Sequence, residues 1–230
     1  MRICGLQKLS MVDYPGKLAA TVFTGGCNLR CPFCHNALLV TRLGESPTLS
    51  EDEVLRFLSS RKGLLDAMVL SGGEPLMHLD AVDFLEKVRK MGFLIKVDTN
   101  GCYPDALNTI LERGLVDYVA MDIKNRPEKY AETVGVPGFS MDTIEKSLNL
   151  LRSSGVPYEL RTTVVRQFHT PADLEAIGKW LADAPAYYIQ NFEDSGNLIQ
   201  QGLAGFSSDE LQLLAECAGK HLKTVIIRGK

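Results

Sequence analysis

Short apolar runs alternate with longer amphipathic runs along this chain. Residues 18–24 are rich in apolar and β-branched side chains and predict a strand. Residues 50–60 predict a helix that opens with the capping-box pair Ser50 and Glu53. Both patterns recur to the end of the chain. They predict further strands at 67–70, 93–97, 117–123, 158–165, 186–189 and 224–227, and further helices at 80–91, 105–113, 141–153, 170–181 and 207–218.

This alternation of strands and helices indicates a parallel sheet with helices packed outside it. The chain has about six or seven strand–helix units, one short of the eight in a closed barrel. The sequence therefore predicts an α/β fold of the partial (β/α)6 TIM-barrel type, in a single domain spanning residues 1–230. Ligands bind at the carboxyl ends of the strands in such folds, so residues with chemical function should directly follow the strands.

Three cysteines lie close together in the loop 25–36, directly after the first predicted strand. Cys27, Cys31 and Cys34 have the spacing C-x3-C-x2-C. Three thiolates at this spacing can hold three irons of a four-iron four-sulfur cluster and leave the fourth iron open. The alternative is a structural zinc ion with His35 as fourth ligand, although a histidine directly after Cys34 is poorly placed to chelate the same ion. The remaining cysteines are expected to be buried small hydrophobic residues; they are Cys4, Cys102 and Cys217.

Polar residues and glycines follow the other predicted strands as well. Taken singly, each has a structural explanation. The glycines can form a tight turn, Asp98 can be a turn former, Lys124 a solvated strand end and Arg161 part of an exposed strand face. Because the carboxyl ends of parallel strands meet at one rim, their joint position favours a ligand site. These residues are Gly72, Gly73 and Glu74 after the second strand, Asp98 and Thr99 after the third, Asp122 and Lys124 at the end of the fourth or directly after it, and Arg161 and Gln190 on or after the next two.

Composition narrows the class of protein. The 230 residues carry a formal net charge of -3 and no block of Lys and Arg, so nucleic acid is not an expected partner. No apolar run approaches the roughly 20 residues that span a bilayer, and the N-terminal segment lacks an apolar signal region. We therefore expect a cytoplasmic protein without a membrane partner. Because thiols stay reduced in that compartment, clustered cysteines indicate a metal centre rather than disulfides.

Two motifs in combination resemble those of the radical S-adenosylmethionine (SAM) superfamily. The cysteine motif has Phe33 before its last cysteine, and Gly72-Gly73-Glu74-Pro75 follows a few tens of residues later. Residues 12–17 and 27–36 are similar to the activating enzymes of glycyl radical proteins. The likeness is greatest to those of anaerobic ribonucleoside-triphosphate reductase, and pyruvate formate-lyase activating enzymes are similar in motif order. Tyr14 stands where the latter usually have glycine, which points away from pyruvate formate-lyase as the target.

The resemblance implies cofactors, contacts and a reaction. Cys27, Cys31 and Cys34 would bind a 4Fe–4S cluster, whose open iron would take the amino and carboxylate groups of SAM. Flavodoxin or ferredoxin would reduce the cluster, and SAM would be cleaved to methionine and a 5′-deoxyadenosyl radical. That radical would take a glycine Cα hydrogen from a partner glycyl radical enzyme. The implied SAM-contacting residues are Phe33, His35, Gly72, Gly73, Glu74, Asp98, Thr99, Asp122, Lys124, Arg161 and Gln190.

Two alternatives to an activating enzyme stay open at the level of the sequence. The first is a radical SAM enzyme with a small-molecule substrate, similar to a deazaguanine-forming synthase, which would share the cluster and differ in the residues that face the substrate. The second is a non-enzymatic interaction domain stapled by zinc. Metal analysis separates the second alternative from the others, because iron and sulfide exclude a zinc staple.

Overall fold

The computed structural model describes residues 1–228, which contain eight strands and eight α-helices. The strands are β1 (Ile3–Ser10), β2 (Ala19–Thr24), β3 (Ala67–Gly72), β4 (Leu94–Thr99), β5 (Tyr118–Asp122), β6 (Tyr158–Val164), β7 (Tyr187–Asn191) and β8 (Val225–Arg228). The helices are α1 (Ala37–Thr41), α2 (Glu51–Ser59), α3 (Ala81–Lys90), α4 (Pro104–Glu112), α5 (Tyr130–Val134), α6 (Asp142–Ser154), α7 (Pro171–Trp180) and α8 (Ser208–Gly219).

The first of two compact units comprises residues 1–28, 38–120 and 143–157. In this unit β1 pairs antiparallel with β2, whereas β2, β3 and β4 run parallel to one another. Val69 and Leu70 of β3 are both fully buried. A strand that buries side chains on both faces is typical of the centre of a parallel sheet, which explains the unbroken apolar run in the sequence.

The second compact unit comprises residues 29–37, 121–142 and 158–228. Here β6, β7 and β8 run parallel. Tyr187 of β7 is fully buried, and its hydroxyl donates a 2.6 Å hydrogen bond to Thr162 Oγ1, so the phenol keeps a polar partner in the core. Helices α7 and α8 approach closely at Gly178, where a Cβ atom would lie 2.4 Å from the carbonyl oxygen of Ala218.

The predicted fold class is confirmed. The first unit contains the parallel strands β2 to β4 and the second contains the parallel strands β6 to β8, and every predicted strand and helix is present within two residues of its predicted ends. The sequence patterns missed the antiparallel strand β1 and the short helices α1 and α5. The assignment of residues 1–230 to a single domain stays a prediction. No helix among the described residues is both long enough and apolar enough to cross a membrane.

Capping residues fix the beginnings of three helices, as the sequence predicted. Ser50 opens α2 and Ser207 opens α8, each in a complete capping box with the glutamate three residues later. Thr170 caps α7, with Pro171 at the first helical position. Asp173 completes a third capping box that the sequence patterns did not predict. The helix starts are therefore set locally, by side-chain and backbone hydrogen bonds within one turn.

Tyr14 belongs to a turn between β1 and β2. The backbone nitrogen of Lys17 donates to the Tyr14 carbonyl oxygen at 3.2 Å, and Gly16 supplies the positive φ of 67° that this turn requires. The Tyr14 ring is 6% exposed and lies 5.9 Å from the ring of Tyr118, centroid to centroid. Tyr14 is therefore a packing residue of the first unit, and the expectation that it points away from pyruvate formate-lyase as the target stays a prediction.

Candidate functional site

In the first unit, the two glycines after β3 bring two backbone turns into contact. A Cβ atom on Gly73 would lie 1.9 Å from the carbonyl oxygen of Gly26, and one on Gly72 would lie 2.3 Å from the backbone nitrogen of Thr24. The Glu74 backbone nitrogen donates to the Gly26 oxygen at 2.8 Å. Glycine is thus required here for the packing of one turn on the other. This contact fixes the backbone directly before Cys27.

Glu74 is fully buried, and its carboxylate is a junction between two strand ends. One oxygen accepts hydrogen bonds from the backbone nitrogen of Leu76 at 3.0 Å and from the hydroxyl of Thr99 at 2.8 Å. The other accepts from the backbone nitrogen of Asn100 at 2.6 Å. A buried carboxylate needs such donors to offset its lost hydration. Glu74 therefore holds the segment after β4 against the turn after β3.

Asn100 lies beside the first cysteine and was absent from the residues predicted as SAM contacts. It is 4% exposed, and its Nδ2 lies 3.6 Å from Cys27 Sγ and 2.9 Å from Asn28 Oδ1. Its Oδ1 accepts from the backbone nitrogen of Cys102 at 2.9 Å. The sequence signal that could have identified Asn100 is its position directly after Asp98 and Thr99 at the end of β4. Cys102 is only partly buried, unlike the other two isolated cysteines, so its expected burial is partly wrong.

Asp98 belongs to a buried polar group within the strands rather than to a simple turn. Lys96 is 2% exposed, and its Nζ lies 2.5 Å from Asp98 Oδ1. Ser71 Oγ donates to Asp98 Oδ2 at 3.0 Å. The interpretation of Asp98 as only a turn former is therefore wrong, because its carboxylate is held from β3 and from its own strand.

In the second unit, the cysteine loop continues through Cys31 and Cys34 and is fixed by its backbone. The Cys34 nitrogen donates to the Cys31 oxygen at 3.0 Å, and the Arg30 nitrogen donates to the Val134 oxygen at 2.9 Å. The Pro32 oxygen accepts from the backbone nitrogen of Gln200 at 3.0 Å. Burial raises the pKa of the Cys34 thiol, while a backbone hydrogen bond from residue 36 and the nearby Lys124 ammonium oppose that rise.

The aromatic residues of this loop pack against side chains of the same unit. Phe33 is 4% exposed, and its ring centroid lies 5.7 Å from that of Phe168 and 6.4 Å from that of His169. His35 lies 5.5 Å from Phe192, centroid to centroid, and burial lowers the pKa of its imidazole. These contacts order the loop between and after the last two cysteines. The expected contacts of Phe33 and His35 with SAM stay predictions.

Asp122, at the end of β5, lies between two cations. Its Oδ2 is 2.8 Å from Lys124 Nζ, and its Oδ1 is 2.5 Å from Arg161 Nε. Burial alone would raise the pKa of Asp122, but Arg161 and Lys124 outweigh that effect and hold the pKa well below its usual range. Burial would likewise lower the pKa of Lys124, yet Asp122 and the nearby Cys31 raise it. Lys124 is thus not a solvated strand end, and Arg161 does not lie on an exposed strand face.

The backbone that carries Asp122 and Lys124 is held on several sides. The Ile123 nitrogen donates to the Arg161 oxygen at 2.8 Å, and Thr162 Oγ1 donates to the Ile123 oxygen at 2.7 Å. The Lys124 oxygen lies 2.8 Å from His169 Nε2, which therefore carries the imidazole proton. Neither Thr162 nor His169 was among the predicted site residues. Gln190 is a half-buried residue of β7, paired in register with Thr163 of β6.

The predicted site residues thus form one group in each unit. The first unit brings Gly72, Gly73, Glu74, Asp98 and Thr99 together with the loop that leads into Cys27, and the second brings Asp122, Lys124 and Arg161 near Cys31 and Cys34. Among the described residues, the side chains alone do not gather three His, Cys, Asp or Glu groups into a metal-binding cage. The fit of an iron–sulfur cluster rests on the donor set, since three thiols at this spacing are the ligands that such clusters take.

Comparison with known proteins shows the family. The profile of the Radical SAM superfamily matches residues 21–181. A curated relative from Methanocaldococcus jannaschii, provisionally named as a glycyl-radical enzyme activating enzyme, is 35% identical over 98% of this chain and 95% of its own length. A pyruvate formate-lyase-activating enzyme from Clostridium pasteurianum is 32% identical over 54% of this chain and 52% of its own length. A 7-carboxy-7-deazaguanine synthase from Halobacterium salinarum is 42% identical, but over 37% of this chain and 34% of its own length. The chain thus spans nearly the whole length of the first relative and only about a third to a half of the other two.

Solved structures share the fold at low identity. Streptococcus suis SuiB bound to S-adenosylmethionine has a TM-score of 0.70 over 90% of this chain and 49% of its own, with 15% identity. Native anSMEcpe with bound AdoMet has a TM-score of 0.59 over 74% of this chain and 50% of its own, with 19% identity. The matched profile covers more than half of the chain, and the Methanocaldococcus relative is similar from end to end. The chain therefore belongs to the radical SAM superfamily, whose enzymes bind a 4Fe–4S cluster and SAM.

Proposed function

We propose that this protein activates a glycyl radical enzyme, and that the partner is an anaerobic ribonucleoside-triphosphate reductase. The observation that carries the activase proposal is the 35% identity with the Methanocaldococcus relative, which extends over 98% of this chain. The choice of reductase rests on the likeness of residues 12–17 and 27–36 to reductase activators. Tyr14, which lies within the first of these segments, packs against Tyr118. Flavodoxin or ferredoxin is the proposed electron donor.

The proposed roles follow from the donor groups of the chain. Cys27, Cys31 and Cys34 would ligate three irons of the cluster. When bound, the reduced cluster and SAM together supply a 5′-deoxyadenosyl radical that takes a hydrogen from a glycine Cα of the partner. Asp122 raises the pKa of Lys124, and Arg161 and Lys124 lower that of Asp122, so both side chains favour their charged forms and offer complementary groups to the charged methionine part of SAM. Arg161 would keep Asp122 ionised and in place.

The remaining proposed contacts divide into backbone and side-chain contacts. Gly72 and Gly73 would present backbone carbonyl groups to the SAM ammonium. Glu74 would hold this turn in place rather than contact SAM with its side chain, since its carboxylate is already hydrogen-bonded to Leu76, Thr99 and Asn100. The proposed side-chain contacts with the ribose, the adenine or the methionine part are Phe33, His35, Asp98, Thr99, Asp122, Lys124, Arg161 and Gln190.

The experiment that tests this function begins with anaerobic reconstitution of the full chain with iron and sulfide. The protein is then reduced with dithionite in the presence of SAM, with and without a reductase that carries the target glycine. We expect 5′-deoxyadenosine by chromatography, and a protein-based glycyl radical by electron paramagnetic resonance (EPR) only when the reductase is present. Formation of 5′-deoxyadenosine without any glycyl radical would overturn the activase proposal and leave the superfamily assignment intact.

Two cysteine variants make a matched pair for the ligand assignment. Cys31→Ala should lose the cluster and all SAM cleavage, because a three-thiolate site loses one of its three iron ligands. Cys102→Ala should keep both, because Cys102 contacts Asn100 through its backbone nitrogen, which alanine retains. Full SAM cleavage by Cys31→Ala, or loss of iron from Cys102→Ala, would contradict the assignment.

A small-molecule substrate is the second candidate function. The local 42% identity with the deazaguanine synthase favours it, although that similarity covers only 37% of this chain. An enzyme of that kind would form 5′-deoxyadenosine without a partner protein once its small-molecule substrate is supplied. The reductase experiment separates the two functions, because only the activase transfers the unpaired electron to a protein.

A further inference from the structure

The side-chain amide of Asn100 contacts the first cysteine of the motif from a buried position. Its Nδ2 lies 3.6 Å from Cys27 Sγ, a separation that suits the large sulfur atom. We propose that Asn100 is a positioning residue that donates a hydrogen bond to the Cys27 thiolate and thereby raises the reduction potential of the cluster. The proposal rests on the cluster of the superfamily and does not depend on the identity of the partner protein.

The orientation of the amide follows from its other partners. Oδ1 of Asn100 accepts from the backbone nitrogen of Cys102 at 2.9 Å, so this atom must be the oxygen. The opposite atom is then the nitrogen, which carries two N–H donors. Its two acceptors are Asn28 Oδ1 at 2.9 Å and Cys27 Sγ. The amide cannot flip without placing a donor against a donor, so an N–H group is fixed toward the sulfur.

The backbone of Asn100 is fixed as firmly as its side chain. Its nitrogen donates to the buried Glu74 carboxylate at 2.6 Å. The next residue, Gly101, accepts a 2.8 Å hydrogen bond from Ser147 Oγ of α6 and donates to Thr99 Oγ1 at 3.1 Å. Asn100 is 4% exposed, so water does not compete for its donors. The Gly-Gly-Glu turn and the cysteine loop are thereby coupled through one amide.

The chemical consequence concerns the charge on the sulfur ligands. One-electron reduction makes a thiolate-ligated cluster more negative, and hydrogen bonds to its sulfurs stabilise that charge. A fixed N–H donor in a buried site acts more strongly than the same donor in water. The Asn100 amide should therefore favour the reduced cluster, which is the form that delivers the electron to SAM. Removing the donor should make the cluster harder to reduce.

The test uses the reconstituted full chain and measures the midpoint potential of the cluster by an EPR-monitored redox titration. Asn100→Asp keeps the oxygen that accepts from Cys102 and replaces the N–H donors with a charged oxygen. Asn100→Ala removes the whole amide. We expect both variants to keep iron and to shift the reduction equilibrium toward the oxidised form by about tenfold or more. For a one-electron couple, a tenfold shift is a decrease of about 59 mV.

Ser147→Ala is the matched control. It removes a fully buried hydrogen bond to the same turn, at the Gly101 oxygen, without touching Cys27. We expect it to lower thermal stability and to leave the midpoint potential unchanged. An unchanged potential in both Asn100 variants would overturn the proposal, as would an equal shift in Ser147→Ala. Loss of iron or of folding in both Asn100 variants would also overturn it, by assigning Asn100 to the scaffold instead.

The result of this titration can be interpreted separately from that of the activation experiment. The titration needs no partner protein and no SAM turnover, so a missing glycyl radical leaves the potentials interpretable. Conversely, an unchanged potential in the Asn100 variants would not affect the activase proposal.

Discussion

Arg161 Nε donates a 2.5 Å hydrogen bond to Oδ1 of Asp122, whose other oxygen binds Lys124 at 2.8 Å. The negative charge of this carboxylate offsets the repulsion between the two cations, and removal of that charge leaves the repulsion unopposed. We therefore expect Asp122→Asn to lower the free energy of unfolding by about 1–3 kcal/mol, below the value for a fully buried pair because all three groups are partly exposed. Urea unfolding measures this loss, and SAM binding should weaken in parallel.

The control for Asp122 is the exposed ion pair between Lys220 and Glu175, whose charged atoms lie 2.6 Å apart. Both side chains are open to solvent, where water and salt screen the attraction. Glu175→Gln should leave the urea midpoint unchanged. An equal loss of unfolding free energy in Asp122→Asn and Glu175→Gln would show that the ion pairs of Asp122 contribute no more than an exposed surface pair.

Glu74 should be among the most sensitive polar positions of the first unit. Its two oxygens accept three hydrogen bonds in a fully buried site, and Glu74→Gln turns one oxygen into a donor that faces another donor. An unsatisfied buried polar group costs about 1–3 kcal/mol, so this variant should lower the free energy of unfolding by at least that amount. Thr99→Val removes one of these donors to Glu74 and the acceptor of the Gly101 nitrogen, but it places no donor against another donor and should cost less. Chemical denaturation of both variants tests this order, and a larger loss in Thr99→Val would contradict it.

Gly73 should not accept a side chain. A Cβ atom there would lie 1.9 Å from the backbone oxygen of Gly26, which cannot move aside as a flexible side chain could. Gly73→Ala should therefore separate the two turns, lower the melting temperature clearly and weaken iron retention at the adjacent Cys27. Gly44→Ala is the control, since a Cβ atom at Gly44 meets nothing within 4 Å. Equal melting temperatures for the two variants would show that the turns tolerate separation.

His169 should make stability depend on pH. Its Nδ1 accepts from the Val165 nitrogen at 3.1 Å, and its Nε2 donates to the Lys124 backbone oxygen at 2.8 Å. Burial lowers the pKa of His169 more than the backbone oxygens of Lys124 and Val165 raise it. The unfolded chain binds a proton below about pH 6.5, whereas the folded chain resists it. The free energy of unfolding should therefore be largest above pH 6.5 and fall as the pH decreases through that value.

Thermal unfolding of His169→Gln between pH 8 and pH 5 checks this expectation. The melting temperature of the variant should fall less steeply with decreasing pH than that of the wild type. Part of this fall should persist, because burial also lowers the pKa values of His35 and His78. An unaltered slope in His169→Gln would show that His169 is not the titrating group.

The sequence alone determined those features that depend on residues close together in the chain. Apolar periodicity predicted the strands and helices to within two residues, and capping pairs such as Ser50 with Glu53 marked helix starts. The cysteine spacing predicted a metal centre, because its three proposed ligands lie within eight residues. Each of these signals reflects a local interaction, so no knowledge of the fold was needed to read it.

The tertiary structure decided the roles that depend on distant residues. Glu74 and Asn100 are 26 positions apart, and Asp122 and Arg161 are 39 apart, yet each pair shares a short hydrogen bond. The packing of Tyr14 on the ring of Tyr118, which lies 104 positions away, could likewise not be predicted from the sequence. Which donor meets which buried acceptor is set by the packing of strands and turns against one another. That packing is a property of the whole fold, because the cost of an unpaired buried group depends on everything that excludes water from it.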